Sequence, residues 1–125
     1  MIEDALIEFR KGDTYTRDIK ISKYTSPIDK MYFTVKENTD TKRPVLQETL
    51  KTGISLVEET EDYRIYNITI QATETDKIKP KDYVFDVEII TEDEFAEDIK
   101  QTIISGIFRL TSEVTATANE KWEEW

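Results

Sequence analysis

The sequence contains no cysteine and no histidine, and it has only three glycines and three prolines. The chain therefore cannot form a disulfide, a thiolate nucleophile or an imidazole base, and it cannot build the zinc sites that need these residues. No run approaches the roughly 20 apolar residues of a membrane-spanning helix. Glu3, Asp4 and Glu8 interrupt the start, which argues against an apolar signal segment.

Acidic residues outnumber basic ones by 27 to 17, so the formal net charge is −10. Binding to nucleic-acid phosphates requires clustered positive charge. We therefore expect no nucleic-acid partner and no membrane association. The residues also show no cofactor signature, and the prediction is a protein without a cofactor or a metal.

Residue composition favours an all-β protein. Ile, Val and Thr account for 39 residues, whereas Ala and Leu together account for 10. β-branched side chains crowd a helical turn but pack well on a pleated sheet. Several segments alternate apolar and polar residues, as half-buried strands do. The apolar positions of these segments predict a core of Ile19, Ile21, Met31, Phe33, Val35, Tyr66, Ile68, Ile70, Phe85, Val87, Ile89, Phe108 and Leu110.

Turn residues divide these segments into about seven strands. Gly12 follows the first segment, and Gly106 is expected to separate a strand over residues 99–105 from another over 107–111. The one helical turn is expected within residues 72–82, with Thr73 as its cap, Asp76 as the capping-box acid and Pro80 as its end.

Tyr83 lies at the start of a strongly alternating strand, directly after the turn over residues 76–79. In immunoglobulin-like sandwiches a tyrosine near the start of the sixth strand donates a hydrogen bond to upstream backbone. The alternative is simply an aromatic residue at a strand start. We predict an immunoglobulin-like antiparallel β-sandwich over residues 1–115, followed by a C-terminal tail over residues 116–125.

Three stretches of the chain resemble small structural proteins of tailed phages and prophages. The similarity includes the immunoglobulin-like N-terminal domain of upper baseplate proteins. The stretches are residues 11–14 with 27–36, residues 75–87, and residues 100–115. Many of these proteins have glycine where this chain has Lys81 and Asp82, and the loop over residues 38–44 is longer than expected.

This resemblance implies a non-enzymatic virion component that is made in the cytoplasm of a bacterial host. Its expected role is assembly or docking in the tail or baseplate, with other virion proteins or further copies of itself as partners. A homo-oligomer is expected. A head-associated or connector role is the second possibility, and a carbohydrate-binding sandwich that uses Tyr24, Tyr32 and Tyr63 is the rival from another class.

Two features of the sequence are candidate sites. Glu92, Asp93, Glu94, Glu97 and Asp98 place five acids in seven residues, but they lack the order and the glycine of a calcium loop, so we interpret them as a solvated hairpin tip. Trp122 and Trp125 lie three residues apart near the chain end, and Trp is enriched where proteins bind one another. They are the predicted partner-binding residues, against the alternative of a frayed terminus.

Overall fold

A computed structural model describes residues 2–22, 27–92, 95 and 97–112. Eight strands and one short helix account for most of these residues. In chain order they are β1 (Ile2–Arg10), β2 (Tyr15–Ser22), β3 (Ile28–Lys36), β4 (Leu46–Thr49), β5 (Ile54–Glu59), β6 (Tyr63–Ile70), α1 (Ala72–Thr75), β7 (Asp82–Glu92) and β8 (Asp98–Thr111).

The strands form two facing sheets. One sheet has the order β1-β8-β7-β3-β4, and the other has the order β2-β6-β5. The central strands β8-β7-β3 opposite β2-β6-β5 give the immunoglobulin arrangement, and β4 beside β3 is the additional strand of the variable type. The predicted immunoglobulin-like sandwich is confirmed. All strand pairs are antiparallel except β1 and β8, which run parallel.

The hydrophobic core lies between the sheets, and all 13 predicted core residues are buried. The rings of Phe33, Phe85 and Phe108 form its centre, with ring centroids 5.6 Å apart for Phe33–Phe85 and 6.3 Å apart for Phe33–Phe108. Phe108 also meets Phe9 edge to face, at 5.4 Å. Aromatic pairs prefer such tilted and edge-to-face contacts because the ring face is negative and the ring edge is positive.

The predicted division of the last strand at Gly106 is wrong. β8 runs without interruption from Asp98 to Thr111, and Gly106 lies within it, opposite Phe85. A Cβ atom at this position would overlap the backbone of Ala5 in β1. Glycine is therefore needed here for the close approach of two strands, not for a turn.

The helix is shorter than predicted and is capped by different residues. Gln71 is its N-cap, and the Glu74 carboxylate accepts a hydrogen bond from the Gln71 backbone N–H at 2.7 Å. Asp76 is the C-cap, so the helix ends before Pro80. β6 continues to Ile70, and the helix is capped at the next residue, Gln71. This is two residues earlier than the predicted cap at Thr73.

The predicted tyrosine corner is present. Tyr83 is 2% exposed, and its hydroxyl donates a hydrogen bond of 2.6 Å to the Lys79 carbonyl oxygen. The predicted turn at Gly12 is also confirmed, with φ of 89°. The Tyr83–Lys79 bond and the Gly12 turn lie at the same end of the sandwich. Gly12 lies in the turn between β1 and β2, and its N–H donates a hydrogen bond of 3.2 Å to the hydroxyl of Thr75 in α1, which precedes β7.

Candidate functional site: the outer face of the five-stranded sheet

An apolar row crosses the outer face of the five-stranded sheet. Leu6 in β1 pairs with Ile107 in β8, which in turn pairs with Val84 in β7. Their neighbours Ile7, Phe108 and Tyr83 are buried between the sheets, so these three side chains point outward by the alternation of strand residues. Leu6 is 50% exposed and Ile107 is 37% exposed. The three residues Leu6, Ile107 and Val84 are called the apolar row below.

An ionic row flanks the apolar row on one side. The Arg109 guanidinium donates two hydrogen bonds to the Asp82 carboxylate, at 2.8 and 3.1 Å, and one to Glu8 at 3.2 Å. The hydrogen bonds from Arg109 hold the pKa of Asp82 below its usual value. This side chain therefore links β8 to both neighbouring strands across their solvent-exposed surface. Exposed ion pairs add little stability, but a bidentate arrangement fixes geometry.

A polar row flanks the apolar row on the other side. Asp86 in β7 pairs with Ser105 in β8 and with Thr34 in β3, and Gln47 in β4 donates a hydrogen bond to the Thr34 hydroxyl at 3.0 Å. Burial, and then the negative charge of Glu88, raise the pKa of Asp86, while Lys36 lowers it. Asp86 is thus a half-buried carboxyl group at the centre of this face.

Two adjoining shallow grooves follow these rows, with volumes of about 430 and 300 Å³. The larger includes Val84 and Ile107, and the smaller includes Lys42 and Gln47. Thr34, Lys36 and Asp86 line both. Neither lysine forms an ion pair with any side chain in the part of the chain that the structure describes. The outer face therefore combines an exposed apolar row with two lysines, which lie in a groove that Asp86 and Glu88 also line.

A second unusual group, Glu48, lies between the sheets. Glu48 in β4 is 1% exposed, and its Oε1 atom has no hydrogen-bond partner among the described residues. Burial, and then the hydrogen bond and negative charge of Glu74, raise the pKa of Glu48 from its usual 4.5 to about 8, against a hydrogen bond from Thr52 that lowers it. Glu48 is accordingly protonated at neutral pH, and its carboxyl group faces that of Glu74.

Such a carboxyl pair resembles the acid–base pairs of hydrolases, but its position argues against catalysis. The Gly53 backbone, with φ of 75°, packs against the Glu48 carboxyl so closely that any side chain there would overlap it. Glu48 lines none of the grooves described above. A substrate therefore has no route to this carboxyl group through them.

Sequence reasoning missed Glu48, although a signal for it was present. Glu48 stands two residues from Leu46 and two from Leu50, so strand alternation places it on the apolar side of the segment. A charged residue at such a position is expected either to be paired or to be neutral. Glu48 follows the second course, because burial and the neighbouring Glu74 raise its pKa to about 8 and so keep it neutral at pH 7.

The predicted partner-binding residues, Trp122 and Trp125, lie outside the described residues. The predicted acidic hairpin tip is described only in part, because Asp93 and Glu94 also lie outside. Glu92 and Asp98 pair across the hairpin, and both are exposed. Among the described residues, no three acidic side chains are arranged to hold a metal ion.

Of the tyrosines of the carbohydrate-binding alternative, Tyr32 and Tyr63 do not form one platform. Tyr32 lies on the outer face of the five-stranded sheet, whereas Tyr63 lies in the three-stranded sheet with the Lys20 ammonium 4.2 Å from its ring centroid. Tyr24 lies outside the described residues. Stacking on a sugar needs neighbouring aromatic faces, which Tyr32 and Tyr63 do not provide.

Asn67, Ile68 and Thr69 match a glycosylation acceptor motif, which lies within β6. Its side-chain amide donates hydrogen bonds to the Thr16 hydroxyl at 2.8 Å and to the Asp18 carboxylate at 2.9 Å. Asn67 thus links β6 to β2.

No family model matches the chain, and no curated protein matches it significantly. Among solved structures, the extracellular domain of the voltage-gated sodium channel β4 subunit is similar, with 13% identity and a TM-score of 0.36. The similarity covers 89% of this chain and 93% of that one. That protein forms parallel homodimers that explain its role in cell–cell adhesion. The fold assignment rests on the strand order, since so low a TM-score adds nothing to it.

Within the described residues, no helix has the length and apolar character that crossing a membrane requires. The comparisons also do not bear on the resemblance to phage structural proteins, which stays a prediction.

Proposed function

We propose that this chain is a non-enzymatic structural protein that binds further copies of itself through the outer face of its five-stranded sheet. The observation that carries the proposal is the apolar row, in which Leu6 in the edge strand β1 and Ile107 in the adjacent β8 remain 50% and 37% exposed. Exposed apolar rows bordered by polar residues are typical of protein-binding surfaces. The resemblance described above supplies the finer form of the proposal, a component of the tail or baseplate of a phage or prophage particle.

Two further observations support a binding role over a catalytic one. The strongly shifted carboxyl group, Glu48, is sealed between the sheets, while the exposed face presents ion pairs and hydroxyl groups. Charged residues at the border of an interface control specificity and the rate of association more than affinity. The ionic row with Arg109 therefore fits the rim of an interface, and the apolar row fits its centre.

The test uses one substitution in the apolar row and a matched control. Ile107→Asp places a charge in the apolar row, and Val57→Asp places the same charge at a residue of β5 that is 54% exposed in the other sheet. Each variant is produced in the strain that carries the gene, and particles are purified by density gradient and analysed by mass spectrometry. We expect the parent and Val57→Asp in the particles and the loss of Ile107→Asp.

Two outcomes would contradict the proposal. Absence of the parent protein from purified particles removes the virion role, and equal incorporation of both variants removes the outer face as the docking surface. Thermal melts of both purified variants show that each is folded, so that loss of incorporation reports docking. Immunogold labelling of intact particles then separates the tail or baseplate location from the head-associated alternative.

A further inference from the structure

We infer that the outer face of one copy receives the C-terminal segment of a second copy, residues 113–125. This inference rests on the proposed function and names the occupant of its binding surface. It follows from three observations, which are the match of apolar groups, the match of charge, and the direction in which the chain leaves β8.

The first observation is the apolar match. Adjacent strands lie about 4.8 Å apart, so the apolar row over β1, β8 and β7 is about 10 Å long. Residues 113–125 contain both tryptophans of the chain, Trp122 and Trp125. Tryptophan is enriched among the residues that carry most of the energy of protein–protein binding. Two indole rings carried three positions apart in the sequence suit a row of this length.

The second observation is the charge match. Lys36 pairs with Val84 and extends the apolar row by one strand, and Lys42 lines the adjoining groove. Residues 113–125 contain four glutamates and one lysine, and three of the glutamates lie within residues 120–124 around Trp122. The glutamates of this segment can pair with these two lysines, which share the smaller groove with Asp86 and Glu88. The net charge of −10 disfavours association of two whole faces, but a local contact of opposite charges reduces that repulsion.

The third observation is the direction of the chain. β8 passes the apolar row at Ile107 and continues for four more residues to Thr111, which is about 13 Å farther along the strand. A return to the same copy's apolar row requires a sharp reversal. Residues 112–121 contain no glycine and no proline, and they include Val114, Thr115 and Thr117, which favour extended backbone. β8 therefore ends about 13 Å past its own apolar row, and residues 113–125 need no reversal to meet the face of a second copy.

A contact of this kind joins two different surfaces, so it repeats head to tail. Such heterologous contacts produce rings if the rotation closes and open filaments if it does not. In an open chain of subunits, the copy at one end has a free face and the copy at the other end has a free tail. This geometry gives a mixing experiment that separates the inference from its alternatives.

The experiment uses the full chain, a version that lacks residues 116–125, and the Ile107→Asp variant. Size-exclusion chromatography with light scattering is run over a range of concentrations at moderate salt. We expect the full chain to associate as its concentration rises, and each altered version alone to remain monomeric. An equimolar mixture of the two altered versions is expected to form a one-to-one complex, because one retains the face and the other retains the tail.

The double variant Trp122→Ala/Trp125→Ala tests the same contact without shortening the chain. It should behave like the shortened version, whereas Val57→Asp should associate like the parent. Lys36→Glu/Lys42→Glu should weaken association, and the parent's association should weaken as salt rises.

Several results would overturn the inference. If the shortened chain still associates while Ile107→Asp does not, the faces pair with one another, and the proposed function stands without the tail. If the two altered versions form no complex on mixing, the tail does not bind the face. If the shortened chain unfolds, the tryptophans belong to its own core. A full chain that stays monomeric at every concentration removes both the inference and the proposed self-association.

Discussion

Glu48 carries a carboxyl group into the space between the sheets, where 1% of the residue is exposed. Removal from water disfavours the charged form of the group, and the nearby Glu74 carboxylate does so as well. Glu74 itself is exposed, and it also accepts the hydrogen bond from the Gln71 backbone. The Glu48–Glu74 pair therefore links β4, in the five-stranded sheet, to α1, which follows β6 of the three-stranded sheet.

The raised pKa of Glu48 makes stability depend on pH. Between its usual value of 4.5 and its folded value of about 8, the folded chain holds a proton that the unfolded chain has released. The stabilisation is fully present below about pH 4.5 and is lost as the pH rises through about 8, with a limiting slope of roughly 1.4 kcal/mol per pH unit. Urea unfolding of the parent and of Glu48→Gln from pH 5 to pH 8 should show this slope in the parent and not in Glu48→Gln.

Glu58→Gln serves as the control, because Glu58 is exposed in β5. It should keep the parent's dependence on pH. A parent and a Glu48→Gln variant that lose stability in parallel over this range would show that Glu48 is ionised in the folded chain.

At the scale of single elements, each strand is held in place by a few specific contacts. β1 approaches β8 closely because Gly106 has no side chain, and Arg109 links these two strands to β7. The start of β7 is held by Tyr83, whose hydroxyl binds the Lys79 carbonyl oxygen in the preceding turn. The apolar row depends on all three strands, so these contacts determine its shape.

Removal of the Tyr83 hydroxyl should lower the free energy of unfolding. Tyr83→Phe keeps the buried ring and leaves the Lys79 carbonyl oxygen without this donor, at an expected loss of about 0.5–1.5 kcal/mol. Tyr32→Phe is the matched control, since Tyr32 lies on the outer face of the same sheet and should change stability little. Urea denaturation of both variants measures the difference. Equal midpoints would mean that the tyrosine corner adds nothing to stability.

At the scale of the whole molecule, one core joins the two sheets. Side chains from β3, β7 and β8 meet side chains from β2 and β6, and each of these strands contributes at least two buried residues. A chain of this size has a total stability of about 5–15 kcal/mol. Loss of one large core side chain is therefore felt by the entire domain.

Phe33→Ala should lower the free energy of unfolding by about 3–5 kcal/mol, because it removes a ring that is 1% exposed and leaves a cavity. Phe95→Ala is the control with the same change of residue, since Phe95 is 78% exposed. Thermal and urea unfolding of the two variants should differ by most of that amount. If Phe33→Ala unfolds like the parent, β3 does not supply the centre of the core.

Much of this architecture can be predicted from the sequence, because strand alternation is a local property. The inward positions of β3, β6 and β7 follow from counting every second residue, and all 13 predicted core residues are buried. The tyrosine corner could also be predicted, since Tyr83 and its acceptor, Lys79, are four residues apart. The prediction that Thr73 caps α1 was wrong because β6 extends to Ile70. The length of a strand depends on its partner strands.

The candidate site depended on contacts between residues that are distant in the sequence. Leu6 and Ile107 are about 100 residues apart, and only the parallel pairing of β1 with β8 makes them neighbours. Gly106 has the local appearance of a turn residue, but its role depends on the approach of Ala5. The residues themselves determined the strands and the faces they bury, because each side chain alternates with its neighbours. Only the tertiary structure decided which strands lie side by side, and so placed the apolar row, the ionic row and the Glu48–Glu74 pair.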